Sequence, residues 1–308
     1  MILPAKEFRQ TERRNPASKN LDRMKSLEMI QLMNREDKKV AMAVAREVPK
    51  IARAVDAIVK NLREGGRLIY VGAGSSGRLA ILDAAECPPT FGVSRGKVQA
   101  LIAGGRRAIT DAVEGAEDSV RNAERDLRRA KLSKRDVVVG VAASATTPYV
   151  LGAVRYAKKH GAATVGVAAN RVGPLTKLVD IFIAPQVGPE VLTGSTRLKA
   201  GTAQKMVLNM LSTASMVELG HAYENLMIDA VLTNKKLEGR AVRILQTASG
   251  KNVSSAEHAL RSSGHNMRLG LIMLKCGVSA GEARELLANA KGNLRLALGE
   301  TGKTQRNG

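Results

Sequence analysis

From Lys38 to Glu64 the apolar positions Val40, Val44, Val48, Ile51, Val55, Ile58 and Leu62 recur at steps of three and four. That spacing predicts one long amphipathic helix, bent at Pro49 and stopped by Gly65-Gly66. The period then shortens. Apolar runs at 67–72, 98–103, 136–143, 163–168 and 180–184 read as buried strands. Helices are expected between them at 76–87, near 107–114, at 119–131 and at 148–160. Short apolar strands alternating with helices predict an α/β fold with a doubly wound, mostly parallel sheet covered on both faces. Beyond Gln186 the pattern is helical, with a long helix from Arg197 to His221 and a linker or helix end over 241–252. Gly264, Gly277 and Gly292 separate three or four short helices between Val253 and Leu298. Residues 1–37 read as an arm with a short helix around Ser26 to Met33. The expected organisation is an arm and long helix over 1–57, a main domain over 58–240 and a small helical module over 253–300.

Between the first strand and its helix lies Val71-Gly72-Ala73-Gly74-Ser75-Ser76-Gly77-Arg78. A strand, a glycine-rich turn and a helix start form a cradle whose free N–H groups face an anion. The spacing Gly72-x-Gly74-x-x-Gly77 also fits a dinucleotide fingerprint, which needs an acidic residue at the end of the next strand. Here that strand is followed by Arg106 and Arg107. Ser75 and Ser76 put two hydroxyls in the loop, which favours a sugar phosphate over a dinucleotide. In such folds ligands sit past the carboxyl ends of the strands. A second loop, Ala143-Ser144-Ala145-Thr146-Thr147-Pro148, lies at the same end and again offers hydroxyls. Helix capping by Ser144 or Thr147 is the alternative role there.

Charge changes the picture less than its size suggests. The 308 residues include 49 basic and 28 acidic side chains, a formal net charge of +21. The segment 61–120, with the glycine loop, holds 7 of each, whereas 121–180 holds 12 against 4. With four tyrosines, three phenylalanines and no tryptophan, the basic runs carry no stacking platforms. A solvated basic face is expected, and specific nucleic-acid binding is not. No apolar run reaches eighteen residues and Met1 to Arg14 is polar, so neither a membrane span nor a secretory signal is expected. Cys87 and Cys276 have no metal-ligand or disulfide spacing, and a cytoplasmic location is expected.

Four scattered histidines offer no metal site and no Gly-x-Ser-x-Gly elbow is present, so the chemistry falls to carboxylates. In Asp83-Ala84-Ala85-Glu86-Cys87-Pro88-Pro89-Thr90 the prolines are expected to end the helix, leaving Glu86 in its last turn. The helix dipole there disfavours a negative charge, which suits a proton donor. Glu117, in Glu114-Gly115-Ala116-Glu117-Asp118, precedes the next helix, where the dipole favours the ionised form and a base. Asp83, Glu114 and Asp118 are local rivals, and solvated helix ends are the plainer reading.

The chain resembles the N-acetylmuramic acid 6-phosphate etherases. The resemblance rests on Thr11-Glu12-Arg13-Arg14-Asn15-Pro16, the Gly72–Arg78 loop, Asp83–Thr90, Leu101–Gly105, Ala112–Asp118, Val187–Val191, Thr193–Lys205, Asn225–Asp229 and Thr233-Asn234. It implies a sugar isomerase (SIS) fold and a homodimer that needs neither metal nor cofactor. The implied reaction cleaves the lactyl ether of the substrate to N-acetylglucosamine 6-phosphate and D-lactate, in the recycling of cell-wall amino sugars. The implied acid is Glu86 and the implied base Glu117, with Ser75, Ser76, Ser144 and Thr147 around the substrate. The family's second loop usually reads Ser-Gly-Arg/Lys-Thr-Pro; here Ala145 and Thr146 replace the glycine and the cation. A sugar-phosphate sensor that binds another protein is the competing expectation, and the two glutamates favour the enzyme.

Overall fold

The computed structural model describes residues 10–300. The chain divides into two compact units, one formed by the residues up to Glu86 with Ser94–Ser215, the other by Cys87–Val93 with the chain from Met216.

The first unit is built on five parallel strands: β1 (Leu68–Gly72), β2 (Val98–Ile102), β3 (Val137–Val141), β4 (Ala163–Val167) and β5 (Ile181–Ile183). Their order is β2-β1-β3-β4-β5, and all four pairings are parallel. The doubly wound α/β expectation is correct. Every residue of β1 and β3 is buried, as expected of strands covered on both faces. The turn from β3 leads into α5 (Pro148–Lys159), whose Tyr149, Val150, Ala153 and Val154 are fully buried in the core.

The helices depart from the sequence expectations in instructive ways. The long helix over 38–64 is two helices, α1 (Ser26–Ala45) and α2 (Val48–Arg63), with Pro49 in the first turn of α2. Proline belongs there because its missing N–H has no helical partner in a first turn. The short helix near Ser26 is the beginning of α1. Helix 76–87 is α3 (Gly74–Phe91), which runs through Pro88 and Pro89. The stretch near 107–114 forms only a 3-10 turn over Gly105–Ile109, followed by another over Ala116–Asp118 and then α4 (Val120–Arg129). α6 (Pro174–Leu178) precedes β5, and α7 (Lys199–Glu218) is the long helix expected from Arg197.

In the second unit, 241–252 takes the helix-end reading and not the linker: Lys235–Ser249 is a helix, α8. It buries Ala241, Ile244 and Leu245 in a core shared with α9 (Val253–Ser262), α10 (Met267–Cys276), α11 (Ala280–Asn289) and α12 (Leu294–Ala297). Asn234, Asn252, Asn266, Ser279 and Asn293 cap these five helices by accepting a backbone N–H. Asp229 binds Arg268 and His221 in the same unit. Among the described residues no helix is long and apolar enough to cross a membrane.

Candidate active site

The glycine turn is shaped by close approach. A Cβ on Gly72 would lie 2.8 Å from the backbone nitrogen of Gly77, and one on Gly77 would lie 2.5 Å from Ile102 Cγ1. Only glycines let the end of β1, the start of α3 and the end of β2 meet this closely. Gly74 opens α3 with φ of +51°. The first-turn N–H groups of α3 thus point past the carboxyl end of the sheet, where an anion is favoured.

The paired serines part company. Ser75 lines a cleft of about 260 Å³ together with Arg78, Asp111, Glu114 and Glu117. Ser76 is buried and donates a 2.9 Å hydrogen bond to Gln204 Oε1 on α7. Arg78 ties the cleft together, because its Nε donates to the carbonyls of Ala108 and Ile109 and its Nη2 to that of Asp111. The cleft therefore joins an anion cradle, one guanidinium and three carboxylates. Glu117 sits in the Ala116–Asp118 turn after Gly115, whose φ is +70°. Ser119 then caps α4 by accepting from the N–H of Asn122.

Glu86 is elsewhere. The expectation that it occupies the last turn of its helix is corrected, because α3 continues to Phe91. The dipole argument, which acts within the last turn, does not apply to it. Parallel pairing of β1 with β2 makes α3 the returning crossover, antiparallel to the strands. Its contacts descend accordingly: Gly77 meets Gly72, and Asp83 accepts a 2.9 Å hydrogen bond from the Tyr70 hydroxyl. Glu86 lies about 18 Å along α3 at 1.5 Å per residue, whereas five-residue β1 spans about 16 Å. It is therefore level with the amino ends of the strands, away from the cleft, and it is exposed.

The second loop is tightly held. Ser144 Oγ accepts from the backbone N–H and the hydroxyl of Thr146 at 3.2 and 3.0 Å, so it caps the loop locally. Thr147 begins α5 without a side-chain capping bond. Ala145 has φ of +60°, the region where the family places glycine, and it is fully buried. Neither Ser144 nor Thr147 lines the cleft with Ser75.

Several structural ties were not visible in sequence. Asp83, a rival catalytic carboxylate by spacing, is buried and also accepts from Asn209 and Ser212. Buried Lys199 pairs with Glu36 at 2.5 Å, and Asn15 donates to the same carboxylate at 3.0 Å. Burial pushes the Glu36 carboxyl up, but the bonds from Lys199, Lys39 and Asn15 outweigh it and hold it below its ordinary range. Glu190 accepts the first N–H groups of α7, from Lys199 and Ala200 at 3.0 and 2.9 Å, while burial raises its pKa. The Thr-Glu-Arg-Arg-Asn-Pro arm and the Pro189-Glu190 segment thus meet at the start of α7. Only the density of polar residues in those segments hinted at this.

Residues 50–158 match the model of the glucokinase regulatory protein N-terminal SIS domain. A protein of Edwardsiella ictaluri named N-acetylmuramic acid 6-phosphate etherase is 53% identical over 290 residues, 94% of this chain and 97% of its own. One of the same name from Serratia proteamaculans is 52% identical over 288 residues, again 94% of this chain and 97% of its own. The chain belongs to the N-acetylmuramic acid 6-phosphate etherase family. Among solved structures, a phosphoheptose isomerase from Francisella tularensis is 18% identical with a TM-score of 0.47, covering 63% of this chain and all of its own. The SIS fold expected of an etherase agrees with the five-stranded parallel sheet and its flanking helices. Against the etherase pattern, the second loop lacks its cation at Thr146, and Arg78 is the one cation among the residues lining the cleft.

Proposed function

We propose that this chain is an N-acetylmuramic acid 6-phosphate etherase, a carbon–oxygen lyase that releases D-lactate and N-acetylglucosamine 6-phosphate. The observation that carries the reading is identity above 50% to etherases along nearly the whole of both chains. A cleft at the carboxyl end of the sheet that joins an anion cradle to Glu117 supports it.

An ether is a poor leaving group, so direct displacement is slow. Opening the sugar ring exposes an aldehyde at C1, which acidifies the proton on C2. Glu117 takes that proton, the electron pair forms the C2–C3 double bond, and the C3–O bond breaks. Glu86 donates its proton to the departing lactate oxygen. Water then adds at C3 with the roles reversed: Glu86 accepts the water proton and Glu117 returns one to C2. Each such step typically contributes about 10²–10⁴-fold. Ser75 and the first-turn N–H groups of α3 hold the 6-phosphate, Ser76 braces that turn through Gln204, and Ser144 and Thr147 meet the substrate where it extends beyond the cleft toward the second loop.

We further propose that the enzyme works as a homodimer in the cytoplasm, in the recycling of cell-wall amino sugars. Buried Cys87 and exposed Cys276 form no disulfide, which suits a reducing compartment. The match to the glucokinase regulatory protein domain favours a sugar-phosphate sensor as second reading. D-lactate assayed after incubation with N-acetylmuramic acid 6-phosphate separates the two: release supports the etherase. Binding of the sugar phosphate without release supports the sensor.

A further inference from the structure

The two ends of the sheet differ in charge. At the carboxyl end, the segment 103–118 that leaves β2 sets Arg106 and Arg107 against Asp111, Glu114, Glu117 and Asp118. At the amino end, the segments that lead into the strands are basic. The eight residues 128–135, which enter β3, hold five cations and no carboxylate. Residues 155–162, which enter β4, hold three more, again without a carboxylate. Residues 60–67, before β1, hold three against Glu64.

Parallel pairing brings these segments side by side, because Leu68, Val137 and Ala163 begin their strands in register. Neighbouring strands lie about 4.8 Å apart. Contacts join the segments into one surface. Arg67 donates from Nη1 and Nη2 to the carbonyls of Ala130 and Lys131, each at 2.9 Å, and Arg135 Nη1 donates to that of Glu64 at 3.3 Å. A Cβ on Gly161 would lie 3.5 Å from Lys134 Cβ.

Helix ends account for part of this charge. α2, α4 and α5 finish here, with Lys60 and Arg63, Arg128 and Arg129, and Lys158 and Lys159 in their last turns. The helix dipole favours a cation there, but it fades beyond the last turn and does not account for Lys131, Lys134 and Arg135. Arg128, Arg129, Lys131, Lys134 and Lys159 are exposed, and none of them forms an ion pair among the described residues. Like charges crowded on one rigid edge repel one another, and an anionic partner relieves that repulsion.

The chemistry around these cations narrows the partner. A single strand needs aromatic platforms for its bases, but Tyr156 is half-buried and stacked on His160 at 4.0 Å. A membrane surface needs apolar anchors, and every exposed large apolar side chain among the described residues lies outside these three segments. A row of phosphates whose bases stay stacked inside a double helix needs neither.

We propose that the amino-end face of the sheet binds double-helical nucleic acid through its phosphate backbone, without regard to base sequence. The cleft lies at the other end, so this binding is separate from lactate release and does not depend on the etherase reading.

Fluorescence anisotropy of the full chain with short DNA duplexes of unrelated sequence tests this. Log affinity should fall against log salt with a slope of about −4 to −5, the value for five neutralised phosphates. Raising salt from about 50 to 200 mM should therefore weaken binding about 500-fold. The triple variant Arg128→Gln/Arg129→Gln/Lys134→Gln should flatten the slope by about three. Lys236→Gln/Arg240→Gln/Arg243→Gln, at exposed positions of α8, should leave the slope unchanged. Equal losses from the two triples would mean diffuse attraction to a basic protein and would overturn the proposal. So would tighter binding to single strands, or to vesicles of anionic phospholipid, than to duplex. A wild-type measurement guards against a variant that fails to fold. Duplex should protect Lys131, Lys134 and Lys159 from acetylation but not Lys236, and uniform protection would contradict the assignment.

Discussion

The hydroxyl of Ser76 is spent on Gln204 Oε1 at 2.9 Å, whereas its neighbour Ser75 faces the cleft. One residue of offset on a helix turns the side chain by about 100°, and here it separates a ligand contact from a structural one. Ser75→Ala should raise KM for the 6-phosphate about tenfold with little change in kcat, as expected for a lost bond to a charged group. Ser76→Ala should instead lower stability by about 1–3 kcal/mol, because it leaves the buried Gln204 amide without its donor. Steady-state kinetics beside thermal melting distinguish the two, and the reverse pattern would contradict this division.

Gly173 sets the position of the second loop. A Cβ there would lie 2.7 Å from the carbonyl oxygen of Ala145, a backbone atom that has little room to yield. Gly173→Ala should therefore cost about 1–3 kcal/mol, read as a lower urea midpoint with an unchanged slope. An unaltered midpoint would mean that the loop is not held as tightly as its contacts imply.

The altered second loop also carries a prediction for binding. Thr146→Arg restores the family's cation beside Ser144 and should lower KM for the 6-phosphate about tenfold, the gain expected of a charge-assisted bond. The gain should shrink as salt is raised. An unchanged KM would indicate that the phosphate does not approach this loop.

The Asp136 carboxylate accepts from the backbone N–H, Nε and Nη2 of Arg67 at 2.9, 3.1 and 2.7 Å, and from the N–H of Ser133 at 2.8 Å. Burial alone would raise its pKa, but these bonds hold it below the ordinary 3.8. A folded-state value below the unfolded one means stability that is present above 3.8 and lost as pH falls through the folded value. Asp136→Asn should cost about 3–5 kcal/mol at pH 7, and its gap to wild type should narrow below pH 3.8. Denaturant midpoints across the acid range test this, and a gap independent of pH would contradict it.

Much of the sheet was legible because each strand is a short, wholly apolar run bounded by turns. Leu68–Gly72 and Val137–Val141 leave no other way to bury five consecutive residues. The helix ends were less legible. Pro88 and Pro89 suggested a stop, yet proline costs a helix most in its interior, and here only one turn follows before Gly92. Over 241–252 the pattern leaves a linker and a helix end both open, because α8 buries only a narrow stripe, Ala241, Ile244 and Leu245. The candidate site was half legible. Glycine spacing located the cradle, but which serine faces the cleft depends on Gln204, 128 residues further along the chain. The separation of Glu86 from Glu117 follows from the direction of α3 and has no signature in local spacing.

The elimination route itself is tested most directly by running the wild-type reaction in D₂O and weighing the products. Glu117 removes the C2 proton and returns one drawn from solvent, so N-acetylglucosamine 6-phosphate should carry one deuterium at C2. Product with no deuterium at C2 would mean that water displaces lactate directly, with no proton removed there by Glu117.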